Sequence, residues 1–483
     1  MARATLSVLS RDEIEKIHSV SIRILEQIGV NTNSESVSEL LEGVGCTCSK
    51  ETGRTLIPES VVKSALASAP KSSVLLASRD KKHNIMIPSS DKICMANGGQ
   101  GVYVKNLITG ERHTSSTKDL IDFTVLCEKI PAVDFLWTMV GAIDQPPHMK
   151  EIVEMVISLE YSGKHYMGGG LSAQQAKDMI EILTLLSGGR KELERRPICS
   201  VVSCPIPPLE FDPGLVEAQV EFAKAMIPVV AMSAPISGLT SPVTLSGTVA
   251  QTAAENLASL VIMQAARKGA PFVFSSDSSP ADMKTGSIDY SGMEAPLLHC
   301  SCGQMGRFYG LPTMVANSAS IAEASMNIGT VQEGISMMTN EAMMPSDLGS
   351  AFGGIDNALG ASLESLVVDT WIWDLAREIG RTFDTDDNAI SIETIKEAAM
   401  GGSYLTRKHT ISRFKKEIIS AARSELSVAA RDIVEERGSL LRKARAETER
   451  ILSAPRESFL SKDEKKETDA ILERLRKTRI QVA

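Results

Sequence analysis

The sequence predicts an α/β protein whose main part is a (β/α)8 TIM barrel, with a helical N-terminal cap and a helical C-terminal extension. Eight short apolar runs bounded by Gly, Ser or Pro follow one another along the chain, and a longer helical stretch comes after each run. Continuous apolar strands that alternate with helices are typical of a closed parallel barrel. An open doubly wound sheet is the alternative, although no predicted strand is followed by a dinucleotide-type G-x-G-x-x-G.

Residues 1–89 are predicted to form the mostly helical cap. The stretches RDEIEKIHSVSIRILEQIGV and PESVVKSALASAP place apolar residues at helical spacing. Between them, CTCSKETGRTLI has the composition of a short hairpin.

Residues 90–384 are predicted to form the barrel. The predicted strands are 92–97, 135–141, 165–170, 198–204, 228–233, 271–276, 312–317 and 346–352. The predicted helices are 117–130, 148–162, 172–188, 213–226, 247–268, 294–309, 327–343 and 361–379.

Residues 385–483 change in composition to charged helix. Opposite charges recur three and four residues apart in RFKKEIISAARSELSVAARDIVEERGSLLRKARAETERIL. This pattern predicts a helical extension that is exposed to solvent or contacts another subunit, and we expect a homo-oligomer.

Composition excludes several classes of partner. The 483 residues carry a formal net charge of −9 and few aromatic side chains (4%), which argues against nucleic acid and anionic membrane as partners. The N-terminus has no apolar signal core, and no run of about 18 apolar residues could span a bilayer. We therefore expect a cytoplasmic protein.

The eight cysteines are spread along the chain, so a reducing compartment would keep them as thiols. In HCSC, one imidazole stands beside two thiols, and His299, Cys300 and Cys302 make a zinc site conceivable. The same segment also fits a buried helix in which Cys acts as a small apolar residue, so we expect no metal.

The C-terminal ends of barrel strands are where working residues are expected. Read in order, those positions are mainly polar and small: Asn97, Gln100, Asp144, His165, Ser203, Ser233, Ser237, Ser275, Ser276, Asp277, Asn317, Ser318, Ala319, Ser350, Phe352 and Asp356. The set is rich in hydroxyl groups and poor in strong nucleophiles.

Two common barrel chemistries fit these positions poorly. A serine hydrolase is disfavoured because no G-x-S-x-G elbow occurs. A Schiff-base aldolase is disfavoured because Lys164 precedes a strand and Lys284 lies well beyond one. What remains is a site that binds and orients a reactant while another molecule supplies the chemistry.

Several segments resemble the trimethylamine methyltransferase family. They are PICSVVSCPIPPLEF, SAPISGLTSPVTLSGTVAQTAAENLA, RFYGLPTMVANSAS and GASLESLVVD. The resemblance implies a (β/α)8 barrel that passes a methyl group from an amine to the Co(I) of a separate, cognate corrinoid protein. It also implies that the cobalamin-type cofactor belongs to that partner and that this chain holds none tightly.

Ala319 is where the sequence departs from the trimethylamine enzymes. The matching position there is pyrrolysine, so the resemblance points to the non-pyrrolysine branch, whose members act on quaternary amines such as glycine betaine. A quaternary amine needs no activating residue, because its leaving nitrogen already carries the positive charge. We expect the space left by Ala319 to hold part of the substrate.

A trimethylammonium group favours aromatic faces and a carboxylate. The resemblance places the carboxylate at Asp356, which with Asn317 forms the predicted catalytic pair. The predicted substrate-binding residues are Ala319, Ser318, Phe352, Ser275, Ser276, Tyr103, Gln100, Trp137, His165 and His409, of which His165 and His409 lie in family-like stretches, KHY and YLTRKHT. Lys284, Arg307 or His409 would anchor the far end of a betaine.

Alternatives remain open for residues and for function. Phe352 and Trp137 also fit core rings, Asp356 a helix cap, His165 a buried histidine and His409 a helix surface. Other betaines (carnitine, proline betaine, γ-butyrobetaine) and trimethylamine are alternative substrates. A zinc-dependent methyltransferase is another alternative, and a protein that binds methylated amines without turnover is the alternative from a different class.

Overall fold

Eight strands lie side by side in one parallel sheet. The computed structural model describes residues 4–49, 51–89, 92–317, 326–418 and 439–479. The strands are β1 (Cys94–Asn97), β2 (Leu136–Trp137), β3 (Tyr166–Gly168), β4 (Cys199–Ser203), β5 (Val229–Ser233), β6 (Phe272–Ser276), β7 (Thr313–Ala316) and β8 (Leu348–Phe352). Their spatial order is that of the chain, with β8 beside β1. A parallel bridge between Ala96 and Phe135 joins the two remaining edges, so the predicted barrel is confirmed.

A helix follows each strand and packs on the outside of the barrel. The helices are α1 (Thr117–Lys129), α2 (Lys150–Tyr161), α3 (Ala173–Leu186), α4 (Pro213–Lys224), α5 (Leu245–Ala266), α6 (Ala295–Phe308), α7 (Ile328–Glu341) and α8 (Leu363–Ala376). A short extra helix, Arg190–Arg195, precedes β4. Many start at a residue whose side chain accepts a hydrogen bond from the first turn: Ser116, Ser172, Asp212, Asn327 and Ser362.

The N-terminal cap covers one flank of the barrel. Its helices are Arg11–Gln27, Glu35–Glu42 and Glu59–Ser68, and the predicted hairpin pairs Thr47–Cys48 with Thr55–Leu56. The first and third helices pack on α5. This explains why α5 is buried on nearly all sides and is rich in small apolar residues.

A second hairpin closes the amino-terminal end of the barrel. Val74–Leu76 pairs with Ile85–Ile87, and the apolar side chains of both strands pack against the residues that fill the barrel interior. The backbone of Ala77 donates to the carbonyl of Pro197, just before β4, which holds this hairpin at the entry end of the strands. A 3-10 turn, Lys81–His83, connects the two hairpin strands.

Two small sheets stand at the carboxyl end. One joins the loops after β1 and β8 and contains Tyr103–Lys105, Arg112–Thr114, Gly354–Ile355 and Gly360–Ala361. The other joins the loops after β5 and β6 and contains Ile236–Ser237, Ser279–Asp282 and Ser287–Ile288. Together they build the walls of the barrel mouth.

The C-terminal part is helical where the structure describes it. Ser439–Leu452 packs on α8 and α1, and Lys462–Arg479 packs on α3. The segment between α8 and these helices contains Arg377–Gly380, Asp387–Ile390, Ile392–Ala399, Tyr404–Thr406 and Lys408–Glu417. The domain limits at residues 89 and 384 stay predictions. None of the helices in the described ranges has the length and hydropathy needed to cross a membrane.

Candidate functional site

A cavity of about 140 Å³ lies among the loops at the carboxyl end of the barrel. Its wall comes from β5 and β8 and from the residues at or after the ends of β1, β2, β6 and β7. The side chains that give it chemical character are Trp137, Met139, Met232, Asp277, Tyr290 and Asn317. Because active sites of (β/α)8 barrels lie at this end, the cavity is the candidate functional site.

Asp277 is the acidic side chain of the cavity wall. Its backbone N–H donates to the Ser233 carbonyl at the end of β5, and the Tyr290 hydroxyl donates to its Oδ2 at 2.9 Å. Its Oδ1 is buried and receives no hydrogen bond from any residue that the structure describes. Burial raises the pKa of the Asp277 carboxyl to about 7, and the hydrogen bond from Tyr290 opposes part of that rise.

The groups around Asp277 are neutral at physiological pH. Burial raises the pKa of Tyr290 well above its usual value, and the adjacent carboxylate adds to this rise. Desolvation of the Cys204 thiol raises its pKa to about 12, with a further contribution from Asp277. Neither group therefore adds a second negative charge beside the carboxylate.

Trp137 forms the aromatic wall of the cavity. Asn97 fixes the backbone of this residue, since its Oδ1 accepts from the Trp137 N–H at 3.1 Å and its Nδ2 donates to the Trp137 carbonyl at 2.5 Å. Gly99 lies against the indole, and a Cβ on that glycine would stand 2.7 Å from Cε2 of the ring. The loop after β1 can pack closely against the indole because Gly99 has no side chain.

Asn317 ties three strand ends together. Its Nδ2 donates to the Ser276 carbonyl at 2.9 Å, and its Oδ1 accepts from the Ser350 hydroxyl at 3.2 Å. The side chain is buried at the cavity wall. Its amide group is therefore held in one orientation by β6 and β8.

Asp356 and Tyr103 come together beside the cavity, and neither is among its lining residues. The Tyr103 hydroxyl donates to Asp356 Oδ2 at 2.7 Å, and the Arg112 guanidinium lies 4.4 Å from the centre of the Tyr103 ring. Burial and the Asp356 carboxylate raise the pKa of Tyr103 to about 12. The structure thus places Asp277, rather than the predicted Asp356, as the carboxylate on the cavity.

The loop that carries Asp356 has an unusual backbone. Asp356, Asn357 and Ala358 all have left-handed conformations, with φ of 56°, 49° and 65°. Left-handed conformations cost free energy in residues other than glycine, so they persist only where the surrounding structure holds them. They cluster at functional sites. Here the turn brings Ala358 and Gly360 to the cavity wall.

Phe352 is a correction to the sequence prediction. Its side chain is fully buried in the core between the barrel and its helices, with its ring 6.4 Å from that of Trp373 on α8. The register of β8 against β1 shifts between Ser350 and Phe352. A bulge of this kind redirects the side chains that follow it, so Ser350 faces the cavity and Phe352 does not.

Three predicted polar contacts also lie elsewhere. Gln100 is exposed and does not line the cavity, although its glycine neighbours do. Ser275 donates to the Met314 carbonyl at 2.6 Å, and Ser276 donates to the Ser278 hydroxyl at 2.9 Å. Both serines are fully buried and make these bonds within the protein, so they hold the fold rather than line the cavity.

His165 lies at the opposite end of the barrel. Its Nδ1 is 2.6 Å from the Ala77 carbonyl and its Nε2 is 2.9 Å from the Ser200 hydroxyl. Burial lowers the pKa of His165 to about 4, so the ring is neutral, with Nδ1–H donating to the carbonyl. The prediction of substrate contact by His165 was therefore wrong.

The predicted far-end anchors are dispersed. Arg307 forms an ion pair of 2.7 Å with Asp347, which precedes β8 at the amino-terminal end. Lys284 is exposed in the turn of a hairpin, and His409 lies on Lys408–Glu417 in the C-terminal segment. None of the three lines the cavity.

Two further sets of predicted residues have different outcomes. Ser318 and Ala319 lie outside the described residues, so their roles stay predictions. His299, Cys300 and Cys302 are all buried on α6. In the described ranges, no group of three or more His, Cys, Asp and Glu side chains is placed to hold a metal ion.

The sequence indicates Trp137 and Asn317 as site residues and gives Asp277 as a strand-end position without an assigned role, but it does not indicate Tyr290. Asp277 stands directly after β6, and that position was the available signal. Tyr290 stands in a loop without a periodic pattern, so only the folded loop shows that it reaches the cavity.

Comparison with known proteins adds the family. The sequence profile described as trimethylamine methyltransferase (MTTB) matches residues 2–480. The chain belongs to the trimethylamine methyltransferase family. The resemblance found in the sequence is thereby confirmed, and the family's methyltransferases act on methylated amines.

Two relatives of this trimethylamine methyltransferase family member carry different substrates in their names. One is the glycine betaine methyltransferase of Desulfitobacterium hafniense, 26% identical over 425 residues that cover 87% of each chain. Another is the trimethylamine methyltransferase MttB of Methanosarcina barkeri, 27% identical over 415 residues that cover 84% of this chain and 82% of the relative.

The fold of this family member is shared with a solved structure. The Methanosarcina barkeri monomethylamine methyltransferase MtmB matches with a TM-score of 0.51 at 11% identity, over 92% of this chain and 88% of the other. At that identity the likeness concerns the fold alone.

Proposed function

We propose that the protein transfers a methyl group from a quaternary amine to the Co(I) of a separate corrinoid protein. The observation that carries the proposal is the buried carboxylate of Asp277, which lies on a cavity among aromatic and thioether side chains, with no cation beside it among the described residues. Glycine betaine, the substrate in the name of the Desulfitobacterium relative, is the quaternary amine expected from the sequence.

The cavity has the charge and surface that a quaternary ammonium ion requires. Such an ion offers no N–H donor, so it is bound by a nearby negative charge and by aromatic faces. Asp277 supplies the charge, and Trp137 and Tyr290 supply the rings. Met139 and Met232 add polarizable sulfur atoms that pack against methyl groups.

The cavity is also of suitable size. A protein cavity of about 150 Å³ binds benzene, which has six heavy atoms. The volume of about 140 Å³ therefore accommodates the four heavy atoms of a trimethylammonium group. The remainder of a longer substrate would extend toward the barrel mouth.

The residues of this chain have holding and shielding roles in the transfer. The corrinoid supplies the nucleophile that takes the methyl group. Since the nitrogen of a quaternary amine already carries its positive charge, the amine leaves as a neutral molecule and no general acid is needed. Asp277 then acts as the counter-ion, while Trp137 and Asn317 shape the pocket and keep water from the nitrogen.

The barrel mouth has features that suit a protein partner. Large apolar side chains in the loops after the strands are more than half exposed: Val102, Leu171, Val243, Met283, Met293 and Leu359. Apolar surface around a cavity is typical of a site that another protein covers. This observation favours an enzyme that meets a corrinoid protein over a protein that only binds a methylated amine.

Methyl transfer to free cobalamin tests the proposal. The purified chain is incubated with cob(I)alamin and a panel of quaternary amines, including glycine betaine, and methylcobalamin is followed by absorbance. We expect methylation from at least one quaternary amine and none from trimethylamine. Activity confined to trimethylamine or dimethylamine would contradict the proposal, and binding without methylation would support the binding protein instead.

Two matched variants separate the candidate carboxylates. Asp277→Asn removes the charge on the cavity, whereas Asp356→Asn removes a charge paired with Tyr103 beside it. We expect Asp277→Asn to lower kcat/KM by about tenfold or more, because a buried charge at short range is lost. Asp356→Asn should have the smaller effect, and the reverse order would return the role to Asp356.

A further inference from the structure

We infer that the preferred substrate is a quaternary ammonium ion without a carboxylate, such as choline or tetramethylammonium, and not a betaine. This inference rests on the proposed function and concerns the chemistry of the substrate's far end. It departs from glycine betaine because of the charges that surround the cavity.

The part of the cavity wall that the structure describes contains an acid and no base. Among the described residues, no Lys, Arg or His lines the cavity, whereas Asp277 does. Residues 318–325 fall outside the described ranges, but their sequence, SASIAEAS, contains no basic residue and one acid, Glu323. The segment that follows β7 therefore supplies no cation either.

The loops at the barrel mouth are acidic as a group. Over the described residues 98–116, 138–149, 169–172, 204–212, 234–244, 277–294 and 353–362, they hold nine Asp and Glu residues against three Lys and Arg. A mouth with this charge attracts cations and raises their local concentration. A betaine has no net charge and gains less from that field.

The few basic groups of these loops are occupied or distant from the cavity. Arg112 lies on the ring of Tyr103, and His113 is 3.0 Å from Asp119. Lys284 is exposed at the tip of its hairpin. Lys105 and His148 are not among the residues that line the cavity. Lys150, just beyond these loops at the start of α2, forms ion pairs with Glu151 and Glu154.

A substrate carboxylate would be poorly accommodated near Asp277. Two carboxylates at short range in a partly dry site repel each other, and each loses hydration. The neutral donor at the wall that has no acceptor among the described residues is Trp137 Nε1. One neutral donor offsets only part of the cost of burying a carboxylate.

Glycine betaine and its methyl ester form a matched pair of ligands for the test. They share the trimethylammonium group and the skeleton, but the ester lacks the negative charge. Calorimetry measures their dissociation constants together with those of choline, tetramethylammonium and carnitine. Methylation of cob(I)alamin is measured in parallel for the compounds that bind.

We expect choline, tetramethylammonium and the ester to bind at least about tenfold more tightly than glycine betaine and carnitine. A tenfold ratio of dissociation constants has the same free energy as a shift of one pKa unit. In Asp277→Asn this preference should shrink, because the repelling charge is gone. If glycine betaine binds more tightly than its ester, the inference is overturned. If glycine betaine nevertheless methylates cob(I)alamin in the same assay, the proposed function still stands. Absence of binding and of methylation for every quaternary amine overturns both.

Discussion

Asp277 combines an uncompensated charge with a hydrogen bond that orients it. The phenol of Tyr290 holds Oδ2, while Oδ1 is buried with no donor in the described part of the chain. Burial raises the pKa of this carboxyl to about 7, so protonated and ionised forms coexist near neutral pH. A bound cation stabilises the ionised form, which couples substrate binding to release of a proton.

This coupling predicts that binding of a quaternary amine weakens as the pH falls below 7. Above that pH Asp277 is already ionised and affinity should be constant; below it, each pH unit should raise the dissociation constant by up to about tenfold. Calorimetry between pH 5.5 and 8.5 measures the profile. Tyr290 and Cys204, which face the same carboxyl, keep their protons in this range. An unchanged profile in Asp277→Asn would show that another group titrates.

The contact between Gly99 and Trp137 gives a second prediction at the residue scale. In Gly99→Ala the new Cβ would meet the indole at 2.7 Å, so the ring must shift and the cavity wall must change. We expect the dissociation constant for a quaternary amine to rise severalfold with little change in melting temperature. Gly169→Ala is the control, since a Cβ there has no atom within 4 Å. Equal effects of both substitutions would rule out the indole as the cause.

Among the elements, the hairpin at the amino-terminal end has a structural task distinct from that of the mouth loops. Its apolar side chains fill the entry of the barrel, and Ala77, just after its first strand, accepts the hydrogen bond from His165. The loops at the other end leave a cavity instead. Stability and binding are thus assigned to opposite ends of the same eight strands.

Truncation in the hairpin should therefore affect folding and leave binding unchanged. Leu76 is 1% exposed and packs in the barrel interior, so Leu76→Ala should reduce the free energy of unfolding by about 2–5 kcal/mol. Chemical denaturation measures this loss, and calorimetry at a temperature below unfolding measures affinity. A large loss of affinity with unchanged stability would mean that the hairpin contributes to the site.

At the scale of the whole molecule, the C-terminal segment presents an unusual surface. Several of its large apolar side chains are more than two thirds exposed: Phe383, Ile392, Met400, Leu405 and Ile411. Scattered apolar residues are normal on a protein surface, but such a concentration in one short segment is typical of an interface.

We therefore predict that the chain forms a homo-oligomer through this segment. Analytical ultracentrifugation of the wild-type chain at micromolar concentration should show a dimer or a larger assembly. Leu405→Asp places a charge on the apolar surface and should shift the distribution toward smaller species. A wild-type chain that sediments as a monomer would contradict the prediction, and the surface would then need another occupant.

The sequence by itself determined the order and kind of the barrel elements. Apolar runs ended by Gly, Ser or Pro mark β1 to β8, and capping residues such as Ser116 and Ser362 mark helix starts, because both signals are local. The family also follows from the sequence. Strand-end position further indicated the barrel mouth, where Trp137 and Asn317 line the cavity; their roles stay predictions.

Only the tertiary structure decided which of those residues face the cavity. Position at a strand end does not specify side-chain direction, which depends on register and on loop conformation. The register shift in β8 turns Phe352 into the core, and Tyr103 and Asp356 pair across 253 residues of chain. Asp277 meets Tyr290 because a hairpin returns the chain to the mouth. Such contacts depend on distant parts of the chain, so no local pattern encodes them.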